Sequence, residues 1–520
     1  MRTLANIYQE YVVELDPILW EAGRINGIYV NEEARQQLLS EMNAKAKELK
    51  HSTLGMVPEE LYPLHHYKTR PDQEMLDKLG ALNLRTIEVP NEQVKTCSVC
   101  GQQHITKTEH TGRKGGRGDA PRNLCYRAAI TLQPGIDKEY DAVLPFNPGS
   151  NDQLRQYAEK FHHKLGRNWK TGEDTLDEKQ VQKFVNKYGD KHPIYKLAIE
   201  YGKLKTARTR YANAWVPDEK GLLYGYYTHS PATFRLAQKE HNFMNVSHKE
   251  DVPYATELRK LLVAPSGHMI VETDSSSVEA VMSAYFMGSP SYAAMAKRGI
   301  HALWACQSLG LEPTDANLKL VKSAKEHALL YARKKRTVHG TSYGMGGGLL
   351  AMNYPALFKN KLEAQMEIED FYKFVPELKE WHTETQKWAA KHGYLENPWG
   401  LRNYYYRVFS FDFKSKTYKL GEDAKPCIAF KPQSSNGMFQ RENIKLIDKG
   451  IRQRNKRGKW WMPAIGHNHD SNSLIVPEDD VYQAKELLEE SMVRPIKEMG
   501  GLIVEAQTKA GKNWGEMAAI

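Results

Sequence analysis

Cysteine is scarce in this chain, with five among 520 residues. So few in so long a chain do not form a disulfide framework, and a reducing, cytoplasmic compartment is expected. No apolar run approaches the ~18 to 20 residues that a membrane span needs, and the N-terminus lacks a signal-peptide core, so no membrane partner is expected. A repeat of about 20 to 50 residues is also missing, which excludes solenoid and propeller arrays. Gly344, Gly346, Gly347 and Gly348 lack the spacing of a phosphate-cradling loop and read as a helix end. Neither charge sign is scarce: 73 Lys and Arg stand against 63 Asp and Glu, for a net +10. That balance suits a polyanionic partner without identifying one. The length allows several subdomains with substantial cores.

Three separated segments carry the chemistry. In the first, an apolar run from Met269 to Val271 leads into Glu272-Thr273-Asp274-Ser275-Ser276-Ser277-Val278-Glu279. The second is a basic helical stretch, Lys335-Arg336-Thr337-Val338-His339-Gly340-Thr341-Ser342-Tyr343-Gly344. The third is His469-Asp470, set between Met462-Pro463-Ala464-Ile465 and Leu474-Ile475-Val476-Pro477. Phosphoryl transfer needs carboxylates to hold metal ions and cations to seat a triphosphate. Asp274 and Asp470 suit the first task and Lys335 the second. Each has a plainer reading: Asp274 as a helix-start residue, Asp470 as a hairpin-tip residue and the Lys-Arg cluster as a solvated face. Ser276-x-x-Glu279 is likewise a capping-box pattern. Tyr331, Lys335, His339 and Tyr343 are four apart, which places them on one helical stripe.

With these segments the chain resembles the polymerase half of a family A, or polymerase I-like, DNA polymerase of divergent bacteriophage type. Fragments in family order extend the resemblance from about Leu15 to Glu516: Gly23 to Val30, Phe146-Asn147-Pro148-Gly149-Ser150, Lys203-Leu204-Lys205-Thr206, Trp399-Gly400-Leu401-Arg402 and Gly511-Lys512-Asn513-Trp514. It implies an α+β right-hand polymerase, having a palm with an antiparallel sheet and helical fingers and thumb. The N-terminal helical region and thumb would occupy 1–250, including an insertion at about 90–135. The palm would comprise 251–290 and 426–520, and the fingers 291–425. Within the first region, helices are expected on either side of a turn at Gly23 to Gly27, and again over 150–215.

The resemblance implies that Asp274 and Asp470 hold two Mg2+ ions and that Lys335 binds the triphosphate. Glu279 would be the steric gate against a 2'-hydroxyl, and Tyr343 would pack near the sugar and templating base. Tyr331 and His339 stand where the family has an arginine and an aromatic residue, with Arg333, Lys334 or Arg336 available to replace the lost cation. Ser471 replaces a third carboxylate. Arg235, Asn242, Asn245, Gln433 and His469 would meet primer-template DNA, with Lys203 and Lys205 on backbone phosphates. The residues aligned ahead of Gln433, Lys425 and Ala429, depart from the family's arginine and asparagine. Partners would be primer-template DNA, dNTPs and a separate exonuclease or replisome subunit, in a bacterial or phage-infected cell. The polymerase resemblance opens almost at Met1, so no proofreading is expected from this chain. A single-subunit RNA polymerase is the nearest rival, and a catalytically impaired DNA-binding relic the next. Glu279 and the Gly-x-Asn-Trp ending favour DNA synthesis.

Cys97-x2-Cys100, followed by His104, His110 and Cys125, has structural-zinc spacing next to the basic, glycine-rich run 111–118. A small zinc-binding insertion is expected there, against the alternative of a reduced-thiol loop. Elemental analysis of the purified chain should find about one zinc per chain, lost in Cys97→Ser with Cys100→Ser. Metal-free wild-type protein would leave only the thiol loop.

Overall fold

The computed structural model describes residues 3–97, 103–104, 132–167, 172–246, 252–413 and 415–520. Two compact units are present, one formed by Met1–Asn43 with Lys203–Ile520 and the other by Ala44–Gly202. Among the described residues no helix is long and apolar enough to cross a membrane.

The first unit is built on an antiparallel sheet of five strands: β1 (His268–Ser275), β2 (His467–Asn468), β3 (Ser471–Pro477), β4 (Ala506–Gly511) and β5 (Ala518–Ala519). Their order is β2-β3-β1-β4-β5. Strand β1 is central because Ile270 and Val271 are β-branched and fully buried, as a strand covered on both faces requires. It pairs with β3 from His268↔Pro477 to Asp274↔Ser471, and with β4 from Ile270↔Gly511 to Ser275↔Ala506. Side chains alternate along it. Val271 joins Leu474, Val476 and Ala510 in a core completed by helix residues Ile444, Ile447, Leu487 and Leu488. Glu272 and Asp274 therefore lie on the opposite face.

Eight helices matter to the site: α1 (Val278–Met287), α2 (Pro290–Arg298), α3 (Ile300–Ser308), α4 (Ala328–Ser342), α5 (Lys361–Phe374), α6 (Pro376–His392), α7 (Ala424–Gln453) and α8 (Val481–Met492). Trp304, Val338, Phe371, Leu378 and Trp381 form a separate core joining α3 to α6. Helix α7, thirty residues long, spans about 45 Å. Its Cys427 and Ile428 belong to that helical core, its Met438 and Phe439 to a middle cluster, and its Ile444 and Ile447 to the sheet core. Pro432 lies inside it.

The N-terminal residues 4–26 are helical, so the turn expected from Gly23 falls later, at Gly27, whose φ is +59°. Gly23 serves close packing, since a Cβ there would stand 2.1 Å from the Gly225 carbonyl oxygen. In the second unit, Asn83–Cys97 pairs with Leu132–Val143 as a long antiparallel ribbon. Helices Asn151–Lys160 and Glu178–Tyr188 follow there, and Ile194–Ala207 runs past the end of that unit at Gly202, in agreement with the helical character expected over 150–215. The zinc candidates lie outside the described residues: Cys100, His110 and Cys125 entirely, Cys97 and His104 in their side chains.

One contact ties the fold to the site. Gly437 on α7 faces the backbone of Phe234 and Arg235, where a Cβ would meet the Phe234 carbonyl oxygen at 2.8 Å and the Arg235 nitrogen at 3.1 Å. Buried Arg441, one turn on, donates to the Phe234 carbonyl at 3.0 Å and the Tyr11 carbonyl at 2.7 Å. Alanine at 437 would gain about 1 kcal/mol of helix propensity but meet backbone, an overpacking cost of roughly 1–3 kcal/mol. Gly437→Ala should therefore lower the urea midpoint; a raised midpoint would show that the 233–236 segment yields freely.

Candidate active site

Asp274 sits one residue inside the end of β1, and Asp470 follows His469 in the two-residue turn between β2 and β3. His469 has φ +55°, the left-handed conformation such tight turns demand. Register places the aspartates side by side, because Asp274 pairs with Ser471. The Ser275 amide donates to the Asp470 carbonyl at 3.0 Å, which fixes the turn against β1. Asn436 on α7 donates to Asp470 Oδ1 at 2.6 Å. Gln440, one turn on, donates to Ser275 Oγ at 3.2 Å and accepts from Asn472 at 2.9 Å.

Burial at the strand end pushes the Asp274 carboxyl up to about 6, and the Asp470 and Glu272 carboxylates add to the rise. The residue keeps part of its surface in solvent, where a cation could approach and relieve the neighbouring negative charge. Glu272 is different. It is buried and held ionised by Lys509 at 2.8 Å and the Trp514 indole at 2.8 Å, whose attraction outweighs the desolvation that opposes it.

Glu279 accepts from the Tyr343 hydroxyl and pairs with Arg235. Arg235 also lies 3.9 Å from Asp470 Oδ1, so one arginine bridges the two carboxylates. The capping-box alternative for Glu279 is not realised. Helix α1 starts after Ser277, which makes no side-chain cap, and the glutamate points across to α4 instead. Glu279, His301, His339, Tyr343 and Asp470 line a cavity of about 210 Å³ between α1, α3 and α4.

On α4, Tyr331, Lys335 and His339 follow one another at helical spacing, and Tyr343 caps the helix. Gly344, with φ +67°, ends it as expected, whereas Gly347 and Gly348 instead open the next helix, Gly347–Asn353. Lys334 is buried, 2.6 Å from Glu367 and 3.8 Å from the Trp304 ring centroid. Arg333 binds Glu363 at 2.8 Å and Glu367 at 3.0 Å. Both therefore fasten α4 to α5, and neither replaces the cation lost at Tyr331. Arg336 lies over the Tyr354 ring.

Sequence reasoning missed His301. Its ring lies 4.8 Å from His339 and 6.5 Å from Tyr331. Burial, then His339, Lys335 and Lys322, hold it down to about 3, so it is neutral with Nδ1 buried and unpaired. Also missed were Asn436 and Gln440, whose spacing of four was a readable signal. Gln433, the expected residue of α7, is half-buried and one turn short of Asn436. The ring of His469 donates to the Met244 carbonyl at 3.1 Å. Asn242 has a buried, unpaired Oδ1, while Asn245, Lys203 and Lys205 are exposed.

A sheet end bearing paired aspartates beside a helix-walled cavity is the architecture of a polymerase catalytic region. The sequence profile of DNA polymerase family A matches residues 131–516, and the chain belongs to that family. It is 26% identical over 423 residues to a thermostable DNA polymerase I of Thermus filiformis, covering 78% of this chain and 46% of that protein. The DNA polymerase I of Chloroflexus aurantiacus is 23% identical over 391 residues, covering 72% of this chain and 38% of that one. The chain thus spans about half the length of the curated relatives it matches. The solved POL domain of Pol1 from M. smegmatis, in complex with DNA primer-template and dNTP, superposes with a TM-score of 0.66 at 16% identity, covering 98% of this chain and 71% of that one. The shared fold is that of a family A polymerase domain.

A carboxyl raised to about 6 in the fold and near 3.8 when unfolded contributes stability at low pH that is lost as pH rises through 6. At pH 7 without divalent ions, Asp274→Asn should therefore melt higher than wild type, and the advantage should shrink as pH falls towards 4. An equal or lower melting temperature at pH 7 would contradict the raised carboxyl.

Proposed function

We propose that this chain is a DNA-dependent DNA polymerase that extends a primer 3'-OH with dNTPs. The observation that carries this reading is the place of Asp274 at the end of the sheet, opposite Ser471 and beside the turn that carries Asp470, whose carboxylate adds to the rise of the Asp274 carboxyl. Divalent ions are general to the family, and two hard oxygen donors suit Mg2+. Asp274 and Asp470 would hold two Mg2+ ions, which when bound activate the primer hydroxyl and neutralise the triphosphate and departing pyrophosphate.

The remaining residues orient and select. Lys335 supplies positive charge beside the cavity, and neutral His301 offers a ring nitrogen with no partner, suited to a phosphate oxygen. Glu279 is held by Arg235 and Tyr343, so it forms a fixed wall where a 2'-hydroxyl would enter. Tyr343 closes the cavity at the end of α4. Arg235, Asn242, Asn245, Gln433 and His469 are proposed contacts to primer-template, and Lys203 and Lys205 to its phosphates. On this reading 251–290 and 426–520 form the palm, 291–425 the fingers, and the thumb lies within 1–250.

Primer extension with dNTPs and Mg2+ tests the reading. Asp274→Asn or Asp470→Asn should each cost roughly a thousandfold in rate, about 4 kcal/mol of transition-state stabilisation. Near-normal turnover in either variant would overturn the two-aspartate assignment. In the same assay Glu279→Ala should lower the ratio of kcat/KM for dNTP over rNTP. An unchanged ratio would leave Glu279 only tying Tyr343 to Arg235.

A further inference from the structure

Between α6 and α7 the chain forms a hairpin, Phe409–Asp412 with Thr417–Leu420, that exposes aromatic rings to an unusual degree. Phe413 is 85% exposed, Tyr406 80% and Tyr418 74%. The rings are organised: Phe411 packs edge-on against both Phe413 and Tyr418 at 5.2 and 5.3 Å, and Tyr404 and Tyr406 lie parallel within 11°. Exposed apolar surface on this scale marks a binding site. The surrounding charge indicates the sign of the occupant, since residues 402–425 carry six Lys or Arg against three Asp or Glu. Although Arg402, Arg407 and Lys419 are paired with Glu396, Glu422 and Asp412, Lys416 and Lys425 add exposed positive charge.

The hairpin also has a defined place relative to the cavity. Its foot leads directly into α7, whose first turn packs on the end of α4. A Cβ at Gly344, next to Tyr343, would stand 3.1 Å from Ile428 Cδ1 and 3.8 Å from Lys425 Cγ. Lys425 itself is exposed. From there α7 runs about 17 Å to Asn436, which holds Asp470.

We propose that this aromatic hairpin is a stacking platform for the single-stranded template ahead of the site, its unpaired bases lying on Tyr406, Phe413 and Tyr418 and its phosphates near the lysines. The proposal rests on the polymerase reading for the direction of the template, but its chemistry is that of sequence-tolerant single-strand binding: aromatic faces interleaved with cations. A docking site for a protein is the competing use of such a patch, and exposed rings alone would serve it. The excess of basic residues favours the nucleic acid.

The test compares two labelled primer-templates by fluorescence anisotropy, one with a long (about ten-nucleotide) 5' template overhang and one with a single-nucleotide overhang. Wild-type chain should bind the long overhang about tenfold more tightly. A triple variant, Tyr406→Ala with Phe413→Ala and Tyr418→Ala, should lose that preference while keeping its affinity for the short overhang and its single-nucleotide insertion. Tyr406→Phe with Tyr418→Phe should keep the preference, because the ring faces remain. Equal wild-type affinity for both substrates, or a preference that survives in the triple variant, overturns the proposal, and the second result assigns the rings to another partner. Single-nucleotide insertion is read in parallel, so absent catalysis with intact overhang preference would count against the polymerase reading and not against the platform.

Discussion

Two carboxylates held side by side repel each other, and much of this structure exists to hold Asp274 and Asp470 in that arrangement. Register does the first part, since pairing Asp274 with Ser471 sets it beside the turn that carries Asp470. Hydrogen bonds do the second: the Ser275 amide and Asn436 fix the turn that carries Asp470. Charge does the third. Glu272 adds to the repulsion at Asp274, while Lys509, which with Trp514 holds Glu272 on the same face, offsets part of it. Arg235 spans the gap from Asp470 to Glu279, and its position is set by Gly437 and Arg441 on a helix nearly two hundred residues further along the chain.

The same separation of tasks runs through α4. Three consecutive cations, Arg333, Lys334 and Lys335, look equivalent in sequence. Helical geometry gives them different fates, because each successive residue turns about 100°. Arg333 and Lys334 point at α5 and are bound there by Glu363 and Glu367. Lys335 lies on the stripe with Tyr331 and His339 beside the cavity. Arg333 and Lys334 therefore do not supply the compensating cation, and His301 on α3 brings a ring nitrogen to the wall of the same cavity.

What was legible in the sequence was local. The strand before Asp274, the turn at Asp470, the stripe on α4 and the glycine that ends it all follow from periodicity and turn chemistry. Family order supplied the antiparallel sheet. What stayed hidden depends on contacts between distant segments. Glu279 has a capping-box spacing, yet its carboxylate goes to Tyr343 and Arg235, and nothing nearby in the chain reveals that choice. His301 is an ordinary histidine on a short apolar helix until α4 comes against it. Asn436 and Gln440 were readable as a pair on one helix face, but only the fold shows that the face meets Asp470.

Helix α7 contributes to the bundle core at one end and the sheet core at the other, with Pro432 between them. Proline offers no amide hydrogen, so the bond that residue 432 would make to the Ile428 carbonyl is lost at that turn. Mechanically, this makes a stiff rod with one softened joint. The joint stands a single turn ahead of Asn436, so the bundle side can flex while the sheet side keeps its grip on Asp470. A tilt of the helical side about this joint would then leave the aspartate pair undisturbed.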